Sequence, residues 1–281
     1  MKQCGAVIQI HDAFVGLAQH ARRGLSHRVP RISWLVCVAL LCHCSASVEG
    51  VHHDVISHGQ FSHLRIYRPP GVTRQLALLL SGDAGWGADL DAIAQRLAAR
   101  GSLVAGIDVR EWLAVLADSP SSCLAPGAYL ADLGRQLQQE YHLRAGAPIL
   151  IGHSAGATLA YVALAQARPG EFAGALTLSF CADLDLPRPL CPAAPLRATP
   201  LAAGVRLQPG GALPARWIAL HGIEDQICPV APARAFAQAV PGARFLPIPG
   251  VGHSYADMQR WWGAFLGAYG ELSVPPASAP P

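Results

Sequence analysis

The sequence has little charge. Of its 281 residues only 14% are Asp, Glu, Lys or Arg, while 52% are apolar. That balance excludes a disordered chain and is enough to bury a full core. A basic stripe is also missing: the net charge is +3, and Lys and Arg stand singly apart from Arg22-Arg23. A nucleic-acid partner is therefore not expected. There is no internal repeat, which sets aside solenoids and arrays. His52-His53 have no partners at ligand spacing and no metal site is evident, so neither a metal nor a cofactor is expected.

A long apolar span is lacking as well. The run Ile32 to Cys42 (ISWLVCVALLC) has 11 residues, against the ~20 that a helix needs to cross a bilayer. It follows Arg22, Arg23, Arg28 and Arg31 and precedes the small residues Ser45-Ala46-Ser47. This is the order of parts in a secretory signal. Residues 1–47 are expected as signal peptide and its basic leader, 48–273 as one domain, and 274–281 (VPPASAPP) as a disordered tail. The expected location is the periplasm; the alternative is an N-terminal membrane anchor.

Removing the signal takes away Cys4, Cys37, Cys42 and Cys44 and leaves Cys123, Cys181, Cys191 and Cys228. An even number suits an oxidising compartment. Three pairings are open. The short loop favours Cys181 with Cys191, leaving Cys123 with Cys228; buried free thiols are the alternative.

Between Val55 and the tail, β-type apolar runs alternate with helical patterns, predicting a mostly parallel sheet with helices on both faces. An antiparallel hairpin is expected over Val55 to Tyr67, then strands Gln75 to Leu80, Leu103 to Ile107, Pro148 to Ile151, Ala173 to Ser179, Arg216 to Leu220 and Arg244 to Ile248. Helices are expected from Asp89, as N-cap, to Arg100, from Tyr129 to Tyr141, Ala155 to Arg168, Pro232 to Val240 and Tyr255 to Tyr269. A loop should hold Pro120, Cys123 and Pro126. After the sixth strand a Pro-rich excursion of 34 residues, Cys181 to Pro214, is either a cap over the site or a loop held by a disulfide.

The strand Pro148 to Ile151 runs into Gly152-His153-Ser154-Ala155-Gly156. A Gly-x-Ser-x-Gly match alone is weak, but a strand-to-helix turn too tight for flanking side chains pushes its serine out at the carboxyl edge of a sheet. Serine is a poor nucleophile until an imidazole takes its proton and a carboxylate orients that imidazole. Such a site on this kind of sheet follows the order Ser, acid, His. The predicted set is Ser154, Asp225 and His253, with Glu224 as the fallback acid; His153 is expected to be structural. The oxyanion of an attacked ester needs two backbone donors, expected from Ala155 and from Gly82 and Asp83 in the loop Ser81 to Gly87. These features predict an α/β-hydrolase fold. Trp86 either walls the pocket or packs in the core.

The chain resembles the VirJ/AcvB virulence-protein family of periplasmic α/β-hydrolases over most of its mature length. Ser81-Gly82-Asp83-Ala84-Gly85-Trp86 looks like that family's Ser-Gly-Asp-Gly-Gly-Trp loop, Gly106-Ile107-Asp108 matches the next strand end, and Asp225-Gln226-Ile227-Cys228 is similar to its acid loop. Longer members carry two modules, and Ser154 to Leu159, Phe180 to Leu184 and Pro189-Leu190-Cys191 are closer to the first. Two positions depart: Ala84 stands for a glycine, and Thr158 stands where the second module has an aspartate. The resemblance implies hydrolysis of aminoacyl-phosphatidylglycerol, chiefly the lysyl ester, at the outer face of the inner membrane. An ammonium group would call for a pocket carboxylate, for which Asp83, Asp108 and Asp183 are candidates. The alternatives are a generic carboxylesterase or thioesterase, and a noncatalytic periplasmic scaffold linked to virulence or secretion.

Overall fold

Alternation within single strands separates two apolar layers. In Gln75–Leu80, Leu76, Leu78 and Leu80 enter one core, and Ala77 and Leu79 the other. Successive strand side chains leave on opposite faces, so a run apolar at every position must be covered on both sides. The computed structural model describes residue 51 and residues 53–274. The run Ile32 to Cys42, the four N-terminal cysteines and residues 275–281 of the tail lie outside the described residues.

The elements are β1 (His53–His58), β2 (Phe61–Tyr67), β3 (Gln75–Leu80), α1 (Ala88–Ala98), β4 (Ser102–Ile107), α2 (Val109–Ala117), α3 (Pro126–Glu140), β5 (Ile149–His153), α4 (Ala155–Gln166) and β6 (Gly174–Leu178). There follow β7 (Asp183–Leu184), β8 (Arg197–Pro200), β9 (Val205–Gln208), β10 (Arg216–Gly222), α5 (Val230–Gln238), β11 (Arg244–Ile248) and α6 (Met258–Ser273). The main sheet has eight strands in the order β1-β2-β4-β3-β5-β6-β10-β11. β2 is antiparallel to both neighbours, and every pair from β4 to β11 is parallel. The carboxyl ends of β3, β5, β6, β10 and β11 therefore share one edge, where ligands of open α/β sheets bind.

α1 and α6 cover one face through Leu90, Leu97, Trp261 and Phe265. α2 to α5 cover the other through Trp112, Leu130, Leu159 and Phe236. α4 is buried on nearly every side, as an all-apolar helix must be.

Several sequence expectations need correction. The stretch after Ile107 is not only loop: it contains α2, capped by the Asp108 carboxylate, which accepts from the Glu111 N–H at 3.2 Å. Its buried face, Val109, Trp112 and Leu116, follows helical spacing over a single short segment. Asp89 caps nothing; Gly87 is the N-cap of α1 and Asp89 lies in the first turn. α6 begins at Met258, capped by Asp257, because Tyr255 has a φ of 54° that no helix admits.

The disulfides are not the expected pairs. Cys123 bonds Cys191, and Cys181 bonds Cys228. Leu124 accepts from the Cys191 N–H and donates its own N–H to Pro189, both at 2.8 Å, which sets Cys123 beside Cys191. Cys181 and Cys228 follow the neighbouring strands β6 and β10. Adjacency across the fold, not chain separation, selects the partners. Two disulfides suit a chain that matures in an oxidising compartment. Among the described residues no helix is long and apolar enough to cross a membrane. The excursion forms a three-stranded antiparallel sheet, β7-β9-β8, whose Leu184, Val205 and Leu207 are buried against the α4 side.

Candidate active site

β5 ends at His153 and α4 begins at Ala155, leaving Ser154 alone in the turn with φ 53° and ψ −122°. A side chain in that region costs ~1–3 kcal/mol, so its surroundings must impose it. They do so sterically. A Cβ on Gly152 would stand 2.1 Å from the Gly156 carbonyl oxygen, and one on Gly156 would stand 2.2 Å from that of Ser81. The Ser154 N–H donates to Leu178 at 3.0 Å, and its carbonyl accepts from Ala157 at 2.8 Å.

His253 lies in the loop after β11, with Nε2 3.0 Å from Ser154 Oγ and Nδ1 3.0 Å from each carboxylate oxygen of Asp225. Asp225, in the loop after β10, is 3% exposed. Its Oδ2 accepts from Ser179 Oγ at 2.6 Å, and its Oδ1 from the N–H groups of Ile227 at 3.0 Å and Cys228 at 2.8 Å. Burial disfavours its charged form, but the bonds from Ser179, Cys228 and His253 outweigh burial and leave its pKa below the ordinary carboxylate value. An ionised Asp225 fixes the proton of His253 on Nδ1 and leaves Nε2 free to accept from Ser154. Glu224, the fallback acid, is exposed and turned away; it accepts from the Gly250 N–H at 3.0 Å and so braces the two loops.

Two further histidines support this set. His153 Nε2 donates to the carbonyl of His253 at 2.7 Å, and His221 Nε2 donates to that of Cys228 at 2.7 Å. Burial lowers the pKa of both, so each is a neutral donor. Asp225, Cys228 and His253 lie close enough to suggest metal ligands. The Cys228 sulfur is committed to a disulfide, however, and cannot be a thiolate.

Ala155 opens α4, so its N–H precedes the first intrahelical bond and meets the positive end of the helix dipole. Gly82 passes so near Ser154 that a Cβ on it would stand 3.2 Å from the Ser154 Cβ. A turn closed by the Gly85 N–H to the Gly82 carbonyl, 3.1 Å, shapes this loop. Ala84 needs no glycine there, since the positive φ, 88°, falls on Gly85.

A cavity of about 400 Å³ opens over Ser154 and His253. Gly82 and Asp83 line it beside Leu90 and Ile93 of α1, with Asp89 as a second carboxylate. Three sequence candidates are not part of it. Trp86 packs over Gly106, donates to Asp91 at 2.8 Å and faces the guanidinium of Arg65, so it is a packing residue. Asp108 caps α2 and accepts from the Trp86 N–H at 2.9 Å. Asp183 forms a two-pronged pair with Arg206, 2.7 Å on each arm, at the small sheet. The excursion from residue 185 onward contributes nothing to the cavity, so among its two expected roles the disulfide-held loop describes it. Thr158 likewise turns aside, donating to the Cys181 carbonyl at 2.7 Å.

No protein-family model matches the sequence, and no match to it is found among curated proteins. Solved structures are similar. Esterase 2 of Thermogutta terrifontis, in its tabun-phosphoramylated form, superposes with a TM-score of 0.54 at 17% identity, over 80% of this chain and 94% of its own. TT1662 from Thermus thermophilus gives 0.52 at 18%, over 80% and 99%. Est1E from Butyrivibrio proteoclasticus gives 0.50 at 14%, over 79% and 98%. The chain has the α/β-hydrolase fold. In an α/β-hydrolase a serine at the turn from a central strand into a helix is served by an acid and then a histidine from later strand ends. Ser154, Asp225 and His253 stand in those places.

Sequence reasoning missed Ser179, His221, Ile227 and Asp89. Ser179 and His221 reach the site from strand ends with no local motif. Asp89 was assigned to a cap, although its neighbours Leu90 and Ile93 face the same cavity.

Proposed function

We propose that this protein is a periplasmic serine ester hydrolase whose substrate is an aminoacyl ester of phosphatidylglycerol. The observation that carries the hydrolase reading is the continuous chain Ser154 Oγ, His253 Nε2, His253 Nδ1, Asp225, with 3.0 Å at each link. Ser154 Oγ attacks the ester carbonyl while His253 Nε2 takes its proton, and Asp225 stabilises the imidazolium. The N–H groups of Ala155 and the Gly82-Asp83 segment receive the oxyanion. His253 then returns the proton to the departing alcohol oxygen as the C–O bond breaks. A water that gives its proton to His253 releases the acid from Ser154.

The aminoacyl assignment draws on the resemblance to the VirJ/AcvB family, and a cavity in which Asp83 and Asp89 are the two carboxylates, beside Leu90 and Ile93, suits an ammonium-bearing acyl group. The periplasmic assignment draws on the disulfides and the Ile32 to Cys42 run. The test takes the mature protein and Ser154→Ala. A fluorophosphonate should label the first and not the second, and only the first should release free lysine from lysyl-phosphatidylglycerol vesicles, with at least a ~10³-fold difference. Equal labelling of both proteins would refute the nucleophile. Labelling with turnover of simple esters alone would refute the substrate.

A further inference from the structure

We propose that the cleft between the small antiparallel sheet and α5 is a second substrate subsite, which takes the apolar chain of the leaving alcohol. This rests on the ester-hydrolase reading above and extends it to the other half of the substrate. The cleft has a volume of about 580 Å³ and lies next to the Ser154 cavity, and Ile227 lines both. Ile227 is 69% exposed. One exposed isoleucine is ordinary in itself; this one forms the ridge between two concave sites.

The chemistry of the cleft points to hydrocarbon. Ala182 and Pro209 form one wall and Pro232 and Ala235 the other, over a floor that includes Phe180 and Phe236. Among the described residues that line it, the charged groups are Asp183 and Arg206, which neutralise each other in the two-pronged pair. The floor is pre-formed: Phe180 packs on Phe236 at 4.9 Å and on Trp217 at 5.1 Å between ring centres, and the Cys181–Cys228 disulfide crosses beside it. An apolar site shaped before binding spends little on ordering itself.

Direction follows from the proton. His253 must protonate the departing oxygen, so the alcohol leaves on the His253 side of Ser154. Ile227 marks that side, two residues beyond the aspartate that orients His253. The acyl group stays with the Gly82 loop, Asp83 and Asp89, while the alcohol chain crosses Ile227 into the cleft. Each methylene buried there should raise kcat/KM roughly fourfold, the equivalent of ~0.8 kcal/mol.

The experiment measures kcat/KM for acetates of linear alcohols from ethyl to decyl, kept monomeric in solution. Wild type is compared with Ala235→Trp, which fills the cleft from an exposed helix position, and with Ala182→Phe, which fills it from the opposite wall. Wild type should gain with alkyl length, and either filling variant of unchanged melting temperature should lose at least tenfold of the decyl-to-ethyl ratio. An unchanged ratio in both, or a length dependence confined to p-nitrophenyl esters of longer acyl groups, overturns the proposal. Fluorophosphonate labelling separates the two readings. A labelled wild type with an unmoved ratio refutes the cleft alone, whereas an unlabelled wild type that cleaves no ester refutes the hydrolase and the cleft together.

Discussion

The turn that carries Ser154 and the loop that carries Asp225 meet at His253 from two sides, yet different forces hold them. The turn depends on backbone sterics: Gly152 and Gly156 pass within van der Waals contact of neighbouring main chain, and the serine side chain itself caps nothing. The loop depends on polar satisfaction. A buried carboxylate accepts from a serine, two backbone N–H groups and a histidine, and a disulfide closes on the same segment at Cys228. The first arrangement uses five contiguous residues, Gly152 to Gly156, pressed against the end of β3 at Ser81, while the second draws on β6, β10 and the loop after β11. The turn needs only that neighbouring main chain stay close, whereas a buried charge needs all its distant donors at once.

Asp225→Asn should break this comparison most sharply. It keeps the shape but removes the charge that holds the His253 tautomer, so kcat should fall by roughly 10³ to 10⁴ with little change in KM. Steady-state kinetics on a p-nitrophenyl ester reads this, and a loss below tenfold would mean another acid serves His253.

The two disulfides sharpen it next. They span 68 and 47 residues of sequence, and loop-closure entropy assigns each about 4 kcal/mol. Double serine variants should thus lose similar stability in urea. Only the Cys181/Cys228 pair should also lower kcat, by about tenfold, because Cys228 supplies an N–H to Asp225. Equal kcat in the two variants would count against the acid loop needing its disulfide.

Gly156→Ala tests the steric side. Its Cβ would meet the Ser81 carbonyl, and the strain should cost about 3 kcal/mol of unfolding free energy. A stability within 0.5 kcal/mol of wild type, roughly the scatter of harmless surface changes, would show that the turn can relax.

The smallest effect is on pH. His153 and His221 have folded pKa values pushed below their ordinary 6.5 by burial. The unfolded chain then binds more protons between the two values, so stability is complete above about pH 6.5 and falls as the pH drops through the lowered values. The lowered Asp225 acts in the same direction below its ordinary 3.8. Each unit by which a histidine is lowered corresponds to ~1.4 kcal/mol. His221→Asn should flatten the fall of the urea midpoint below pH 6.5; an unaltered slope would assign the loss elsewhere.

The strands of the main sheet were legible because most are short apolar runs bounded by turn residues, whereas β7 to β9 inside the excursion were not, and Ser154 was legible because its glycines flank it. The order Ser154, Asp225, His253 could be read since each residue follows a strand. α2 escaped notice because one amphipathic stretch of nine residues, beginning after Asp108, looks like the loop around it. The cysteine pairs escaped because spacing along the chain says nothing of which loops share an edge. Asp108 and Asp183 looked like pocket residues only while their partners, the α2 amides and Arg206, were unknown, and for Trp86 the bond to Asp91 decides for packing between the two roles the sequence left open.

The sequence by itself determined the alternation of strands and helices and the strained serine, since both follow from local periodicity and from glycines that tolerate close backbone. Tertiary structure alone decided that Ser179 reaches Asp225, that Cys181 meets Cys228 and that Asp89 lines the same cavity as Ser154. Those contacts join residues whose only relation is the strand order of the sheet, and hydrogen bonds and disulfides act over a few ångströms of space, whatever the distance along the chain.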